Sequence, residues 1–278
     1  GLMARYPRLP RMRVIAYCVW AGNRLPPVFV QSLSQVREIW TCSRHSQRAF
    51  QEYFPSVAVV PHVVERRPVP SFLLEKARER VGGVEPEEFL FFSIADAVNP
   101  RKNVRDLLFA FSRVREQGPR RVRLILKQYR RNLDFSSLEG VRSLAGDLGA
   151  GEMRALHLIS HAYVSAHHAE GWGLGLSEAM AFGKPVIATG YSGNMDFMDA
   201  RNSFPVPYSL GPVPEEMTRR LPWFTPDMIW ADIDKEALIQ TMKRVAAGRW
   251  DPELRVRAAD IARTFSPGAV AEIMRALL

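Results

Sequence analysis

The chain alternates short apolar runs with amphipathic ones, and the alternation sets its expected architecture. RVIAYCVW (13–20), EIWTCS (38–43) and VAVVPHVV (57–64) are short apolar runs rich in β-branched and aromatic residues, which predicts strands. Between them, VFVQSLSQ follows Pro26-Pro27 and reads as a short helix. RHSQRAFQEYF reads as a second helix, with Ser43 placed to cap it. A polar, charged zone follows at 64–86, containing the helical stretch SFLLEKARERVGG.

A longer series then begins. FLFFSIA (89–95) is apolar throughout, as expected of a strand buried on both faces. NVRDLLFAFSRVREQG has helical spacing, with Asn99 or Asn103 near its start and Gly118 at its end. RVRLILK, a short strand in GVRSLAGDL, the helix GEMRALHLIS and the strand–turn–helix–strand run HAYVSAHHAEGWGLGLSEAMAFGKPVIAT complete it. Residues 128–140 carry no clear signal, and 201–234 read as a long loop rich in Pro and Trp. Three terminal helices are expected in KEALIQTMKRVAAGRW, PELRVRAADIARTF and PGAVAEIMRALL.

Strands alternating with helices predict parallel sheets. The expected fold class is α/β: a partial N-terminal α/β domain over 1–66, a linker over 67–86, and a doubly wound Rossmann-like domain over 87–278 whose last helices return toward the N-terminal part. In such sheets ligands sit beyond the carboxyl ends of the strands. Here those ends carry AVNPRKN, KQYRR and HHAEGWG, so basic groups and a glycine-rich turn should converge on one edge.

Composition narrows the field. With 47% hydrophobic and 24% charged residues the chain has an ordinary globular balance. No apolar run reaches the roughly 18–20 residues that span a bilayer. Cys18 and Cys42 lie on separate expected strands, with neither a disulfide framework nor zinc spacing, so a cytoplasmic setting is expected. The net charge of +9 suits phosphate-bearing ligands, and would also suit peripheral binding at the inner membrane face. The basic residues are scattered, with no long block interleaved with aromatics, which argues against a nucleic-acid groove.

The glycine turn carries the candidate chemistry. Gly171, Gly173 and Gly175 leave the backbone bare where a helix begins near Leu174. A helix start offers unpaired N–H groups and a partial positive charge, hence an anion site. Arg101 and Lys102 would add full charges. Glu178, one turn into the helix, lies too deep to compete for the amides but could accept from a ribose diol. Glu170, just before the turn, could orient sugar hydroxyls. Two acids flanking an anion site describe a ligand with a diphosphate middle and two polyol ends: a nucleotide sugar. The glycines and glutamates also fit plain helix–strand packing and a solvated helix face, and both readings stand at this level. His157 and His161 have i,i+4 spacing, and His167 and His168 are adjacent, but no carboxylate or cysteine completes a metal set, so no metal is expected. Trp172 could pack on a sugar or on the wall, and Tyr191–Asn194 could hold phosphate or form a plain turn.

HHAEGWGLGLSEAMAFGKPVIATGYSGNMDFM resembles the signature of retaining GT-B glycosyltransferases of the family-4 type, whose hallmark is two glutamates separated by seven residues. Ser165, His167, Glu170, Gly171, Gly173, Leu174, Glu178, Ala179, Met180, Gly183 and Pro185 fit that pattern. NPRKNVRDLLFAF resembles the family's donor-phosphate loop, and the likeness extends over the chain from about residue 13. The resemblance implies that Glu178 holds the donor ribose, that Glu170 contacts sugar hydroxyls near the reacting carbon, and that Lys102 and Arg101 neutralise the diphosphate. Gly171, Trp172, Gly173, Leu174, Lys127, His167 and Asn194 would complete the donor site. It further implies a UDP- or GDP-linked sugar as substrate, no cofactor and no metal. The acceptor would be a glycan, a lipid-linked or a small molecule. Three features depart from the pattern. About Ala97 stands where the family's first basic residue would be, leaving Arg101 or Lys127 to substitute. Ala21 stands where relatives commonly have glutamate. The first half of the usual acceptor domain is missing, as expected of a fragment of a longer chain, of a subunit whose acceptor side is completed by a partner subunit or by self-association, or of a degenerate nucleotide-sugar binder. A non-catalytic nucleotide-sugar-binding or assembly module is the alternative; SIADAVNPRKN, lacking G-x-G-x-x-G, argues against a dinucleotide oxidoreductase.

Overall fold

The structure, a computed structural model, describes residues 13–278 apart from Arg131 and Pro222; residues 1–12 of the expected N-terminal domain lie outside it. Two parallel sheets face each other. The smaller, order β1-β2-β3, is formed by β1 (Ile15–Tyr17), β2 (Glu38–Thr41) and β3 (Val57–Val59). Its helices are α1 (Pro27–Leu33) and α2 (Arg44–Gln51), the latter capped by the Ser43 hydroxyl as expected.

The larger sheet has the order β6-β5-β4-β7-β8-β9, every pair parallel. Its strands are β4 (Phe89–Ala95), β5 (Val122–Gln128), β6 (Val141–Leu144), β7 (Ala162–Ser165), β8 (Val186–Thr189) and β9 (Phe204–Val206). The chain winds outward from β4 to β6, then returns to β7 on the other side of β4. The strand order therefore reverses between β4 and β7, which opens a crevice at their carboxyl ends.

Alternation along β4 sends Leu90 and Phe92 to one face and Phe89 and Phe91 to the other. The first face is covered by α3 (Ser71–Arg80), α5 (Ala150–Ile159), α6 (Leu174–Ala181), α9 (Leu254–Ala259) and α10 (Ile261–Thr264). The second is covered by α4 (Val104–Gln117) and α8 (Lys235–Ala246). Helix α3 lies in the stretch expected as a linker. It is packed, with Ala77 buried and Lys76 paired to Glu152 of α5 at 2.9 Å.

Residues 201–234 differ most from expectation. They contain β9, an antiparallel pair of β10 (Tyr208–Pro212) and β11 (Ile229–Ile233), and α7 (Glu215–Arg220) between those two strands. Their apolar residues Val213, Met217, Phe224, Met228 and Trp230 join Trp20, Leu25, Ile39, Phe50 and Phe54 in one buried cluster. The pattern along this segment is irregular because its partners lie far earlier in the chain rather than on neighbouring turns. Helix α11 (Pro267–Leu277) covers the other face of the small sheet through Val270, which packs with Trp40 and Val60. Among the described residues, no helix is long and apolar enough to cross a membrane.

Candidate functional site: a cleft at the switch point

A cleft of about 1010 Å³ opens between the two sheets, at the crevice where the strand order reverses. Its larger-sheet wall is built from the loop after β4 (Asp96 to Lys102), the turn after β7 (Glu170 to Gly173) and the first turns of α6. Val19, Trp20, Ala21, His62 and Val63 line the opposite side, with Trp223 and Phe224.

The loop after β4 reaches the turn after β7 through charge. Glu170 is ion-paired to Lys102, and its other oxygen lies 3.2 Å from the Arg101 guanidinium. All three side chains are largely buried. Burial would raise the Glu170 pKa, but Lys102 and Arg101 outweigh it and hold the carboxyl well below the ordinary range. Arg101 also donates to the Ala169 carbonyl. Its own carbonyl accepts from the His168 amide at 2.9 Å, which fixes the two loops together. Burying such a cluster contributes little to stability, because desolvation offsets much of the attraction. What it provides is two cations against one carboxylate: a net positive charge set into a cleft wall.

The amino end of α6 adds to it. Gly173 occupies the N-cap at φ 95°, a left-handed conformation that side chains disfavour, and has no side chain to satisfy the first amides. Leu174, the first helical residue, is exposed at the cleft surface. The partial positive charge of the helix start and the ion cluster thus line the same cleft. Glu178 lines the cleft further along α6; His157 Nε2 lies 3.3 Å from one of its oxygens and orients it. The two glutamates singled out by spacing do share one crevice.

Other expected site residues lie behind it. His167 is fully buried between Ser165 (3.0 Å) and Asn194 (3.1 Å), and burial pushes its pKa down to about 4. Asn194, also fully buried, donates to the Thr189 carbonyl at 3.0 Å. Both brace the turn rather than line the cleft. Lys127 does not take the role of a second phosphate cation: its ammonium is buried at the end of β5 and donates to the Gln128 carbonyl at 2.5 Å. Arg101 is the residue beside Lys102. Trp172 is buried against Phe197 and Phe265, with ring centroids at 4.7 and 5.1 Å, so it is a wall of the cleft more than a platform. The remaining histidines are placed by packing. His161 accepts from the Leu90 amide at 2.9 Å, and His168 stacks on Trp230 at 4.0 Å while donating to the Ala231 carbonyl at 2.7 Å. Among the described residues no cluster of His, Cys, Asp and Glu has metal-binding geometry.

Three residues take roles at the site that local sequence did not show: Asp96 carried no signal, while Ser43 read only as a helix cap and Ser192 only as part of the Tyr191–Asn194 loop. Asp96, at the end of β4, is 3% exposed and lines the cleft with one oxygen unpaired; Arg130 lies 3.7 Å from the other. Ser43, legible as a helix cap, also donates to the Gly171 carbonyl at 2.6 Å and so docks the small sheet onto the turn. Ser192 holds the Glu170 amide, accepting from it at 2.7 Å.

Comparison with known proteins bears on the fold. Residues 75–203 match the family described as Glycosyl transferases group 1. No curated protein sequence matches the chain. Solved structures do. Sucrose-phosphate synthase from Thermosynechococcus elongatus superposes with a TM-score of 0.65 at 18% identity, covering 90% of this chain and 59% of that one. HepE from Anabaena, solved with UDP and glucose, gives 0.62 at 18% identity, covering 90% and 64%. The pneumococcal O-GlcNAc transferase GtfA, solved with UDP and GlcNAc, gives 0.60 at 15%, covering 94% and 51%. The chain spans less than two thirds of each of these relatives. Its architecture is that of the GT-B glycosyltransferases, and the matched residues contain the whole of the Arg101–Lys102–Glu170 cluster and Glu178.

Proposed function

We propose that the cleft binds a nucleoside-diphosphate sugar and that the chain, as a retaining glycosyltransferase of the family-4 type or its donor-binding half, transfers that sugar to an acceptor. The observation that carries this reading is the buried Arg101–Lys102–Glu170 cluster, net positive, in the same cleft wall as the open amino end of α6. A diphosphate complements that charge. Lys102 has three donors and Arg101 five, so each can keep its bond to Glu170 and still donate to phosphate oxygens.

In this reading Glu178, held by His157, accepts from the ribose diol, and Glu170 accepts from sugar hydroxyls next to the anomeric carbon. The acceptor oxygen bonds to that carbon on the face from which the diphosphate departs, and the leaving phosphate takes the acceptor proton. The C–O bond to phosphate breaks as the new one forms, and configuration is retained. Lys102, Arg101 and the first amides of α6 stabilise the charge that grows on the diphosphate.

Calorimetry with UDP and GDP tests the reading. One of the two should bind saturably, and Lys102→Ala should weaken it about ten- to a hundredfold, the loss expected for a hydrogen bond between charged groups. A folded sample that binds neither nucleotide at millimolar concentration overturns it. The second reading is a non-catalytic nucleotide-sugar-binding module. The smaller-sheet side of the cleft bears on it: Val19, Trp20, Ala21 and Val63 are apolar, and among the described lining residues of that side the titratable groups are His62 and Glu65. Donor hydrolysis or transfer by the purified chain, abolished by Glu170→Ala, would exclude that module.

A further inference from the structure

A second cavity, about 560 Å³, lies on the other side of the Glu170–Trp172 turn, and the Trp172 ring lines both. We propose that it is a separate binding site for a phosphorylated sugar.

The cavity carries the chemistry of such a ligand in three parts. Arg44 and Arg48 lie four residues apart on one face of α2, and both line it. Neither guanidinium has an ion-pair partner among the described residues. Asp196 is the carboxylate that lines the same space, and it accepts from the Arg44 backbone amide at 2.8 Å. Two cations against one acid leave room for an anion, and two neighbouring guanidiniums suit the several oxygens of a phosphate.

The second part is aromatic. Tyr191 and Tyr208 form a pair with centroids 5.3 Å apart, and the His45 ring meets Tyr191 edge-on at 5.4 Å. A sugar ring lays its C–H face on such a wall. Asp196 and the two phenols, which have no hydrogen-bond partner among the described residues, would serve its hydroxyls. An inorganic anion would use the arginines and leave the wall idle.

The third part is placement. The loop that presents Tyr191 also holds Ser192 at φ 77°, ψ −149°, a conformation rare for a residue with a side chain. That conformation directs the Ser192 hydroxyl to the Glu170 amide at 2.7 Å. The second cavity is thus one residue removed from the first cleft, yet its cations are its own.

Calorimetry with glucose 6-phosphate tests the proposal, with glucose and inorganic phosphate as comparisons. Glucose 6-phosphate should bind saturably to the wild type and to Lys102→Ala alike. The double variant Arg44→Gln/Arg48→Gln changes only exposed side chains and should melt like the wild type, yet bind it about ten- to a hundredfold more weakly. A second variant, Tyr208→Ser, should weaken glucose 6-phosphate and leave inorganic phosphate unchanged. No saturable binding at millimolar concentration overturns the site. So does binding that Lys102→Ala removes and the double variant keeps, since the ligand would then occupy the first cleft. Equal affinity for phosphate and glucose 6-phosphate overturns the sugar component. The Lys102→Ala arm separates this site from the nucleotide reading of the first cleft, so either can fail alone.

Discussion

At the residue scale, the cleft depends on side chains whose ionisation and size are fixed by what surrounds them. His167 sits behind Glu170 with a native pKa of about 4, below the value near 6.5 of an unfolded chain. Between those values only the unfolded state takes up a proton, so stability is lost as pH falls from about 6.5 toward 4, at up to about 1.4 kcal/mol per pH unit. His161 is shifted the same way and adds to the slope. Glu170, held low, stays ionised in the folded state throughout that window. Thermal unfolding at stepped pH should show this decline, and His167→Gln should reduce its slope by about one proton. Equal slopes in the two proteins would mean that the buried imidazole does not titrate as argued. Size is as strict. A Cβ on Gly193 would lie 2.0 Å from the Gly171 carbonyl oxygen, which cannot move without shifting the Glu170 turn. Gly193→Ala should therefore cost about 1–3 kcal/mol or more and weaken nucleotide binding as well. At Gly248, φ 68°, a methyl would meet open space, so Gly248→Ala should cost stability alone. Melting curves and nucleotide titrations of both variants separate the two effects.

At the element scale, helix ends do more than end helices. Asn103 closes the loop that carries Arg101 and Lys102, standing at φ 47° while its side chain accepts from the Asp106 amide to cap α4. Asn103→Ala loses both the cap and the tolerance of that conformation, and should destabilise by about 1–2 kcal/mol. Asn103→Gly keeps the conformation and should cost only a few tenths of a kcal/mol through the cap. Urea unfolding of the pair distinguishes them; an equal loss in both would show that the left-handed backbone is not what asparagine supplies there. These caps were legible in sequence. Ser43 and Asn103 sit directly before amphipathic stretches, where short polar side chains compete well for free amides. Their second contacts were not, because the Gly171 carbonyl that receives the Ser43 hydroxyl is 128 residues away.

At the scale of the whole molecule, Trp172 joins what the two sheets hold apart. It lines both cavities and packs on Phe197 and on Phe265, with His62 edge-on at 6.0 Å. Trp172→Ala should destabilise by about 3–5 kcal/mol and loosen both cavities. Calorimetric unfolding measures the first effect; a cost below about 1 kcal/mol would place the ring outside the core. The cluster around Trp20 makes the same point for the segment 213–230, which reads as loop yet supplies much of the core beneath the small sheet.

Local pattern along the chain sets what repeats at short range. Short apolar runs and helical spacing located nearly every strand and helix of the larger sheet, and continuous apolar runs such as FLFFSIA announced parallel strands buried on both faces. It also placed Glu170, Glu178 and the Arg101–Lys102 pair on loops and helix turns of the right kind, because loop chemistry follows from backbone freedom and charge. Tertiary structure decided which of those groups meet. Lys127 and Arg101 are both cations near strand ends, and only the chain's path past β7 put Arg101 beside Glu170 and turned Lys127 inward. The role of 201–234 was likewise settled by distant partners, since burial against residues far along the chain leaves no period for a local pattern to show.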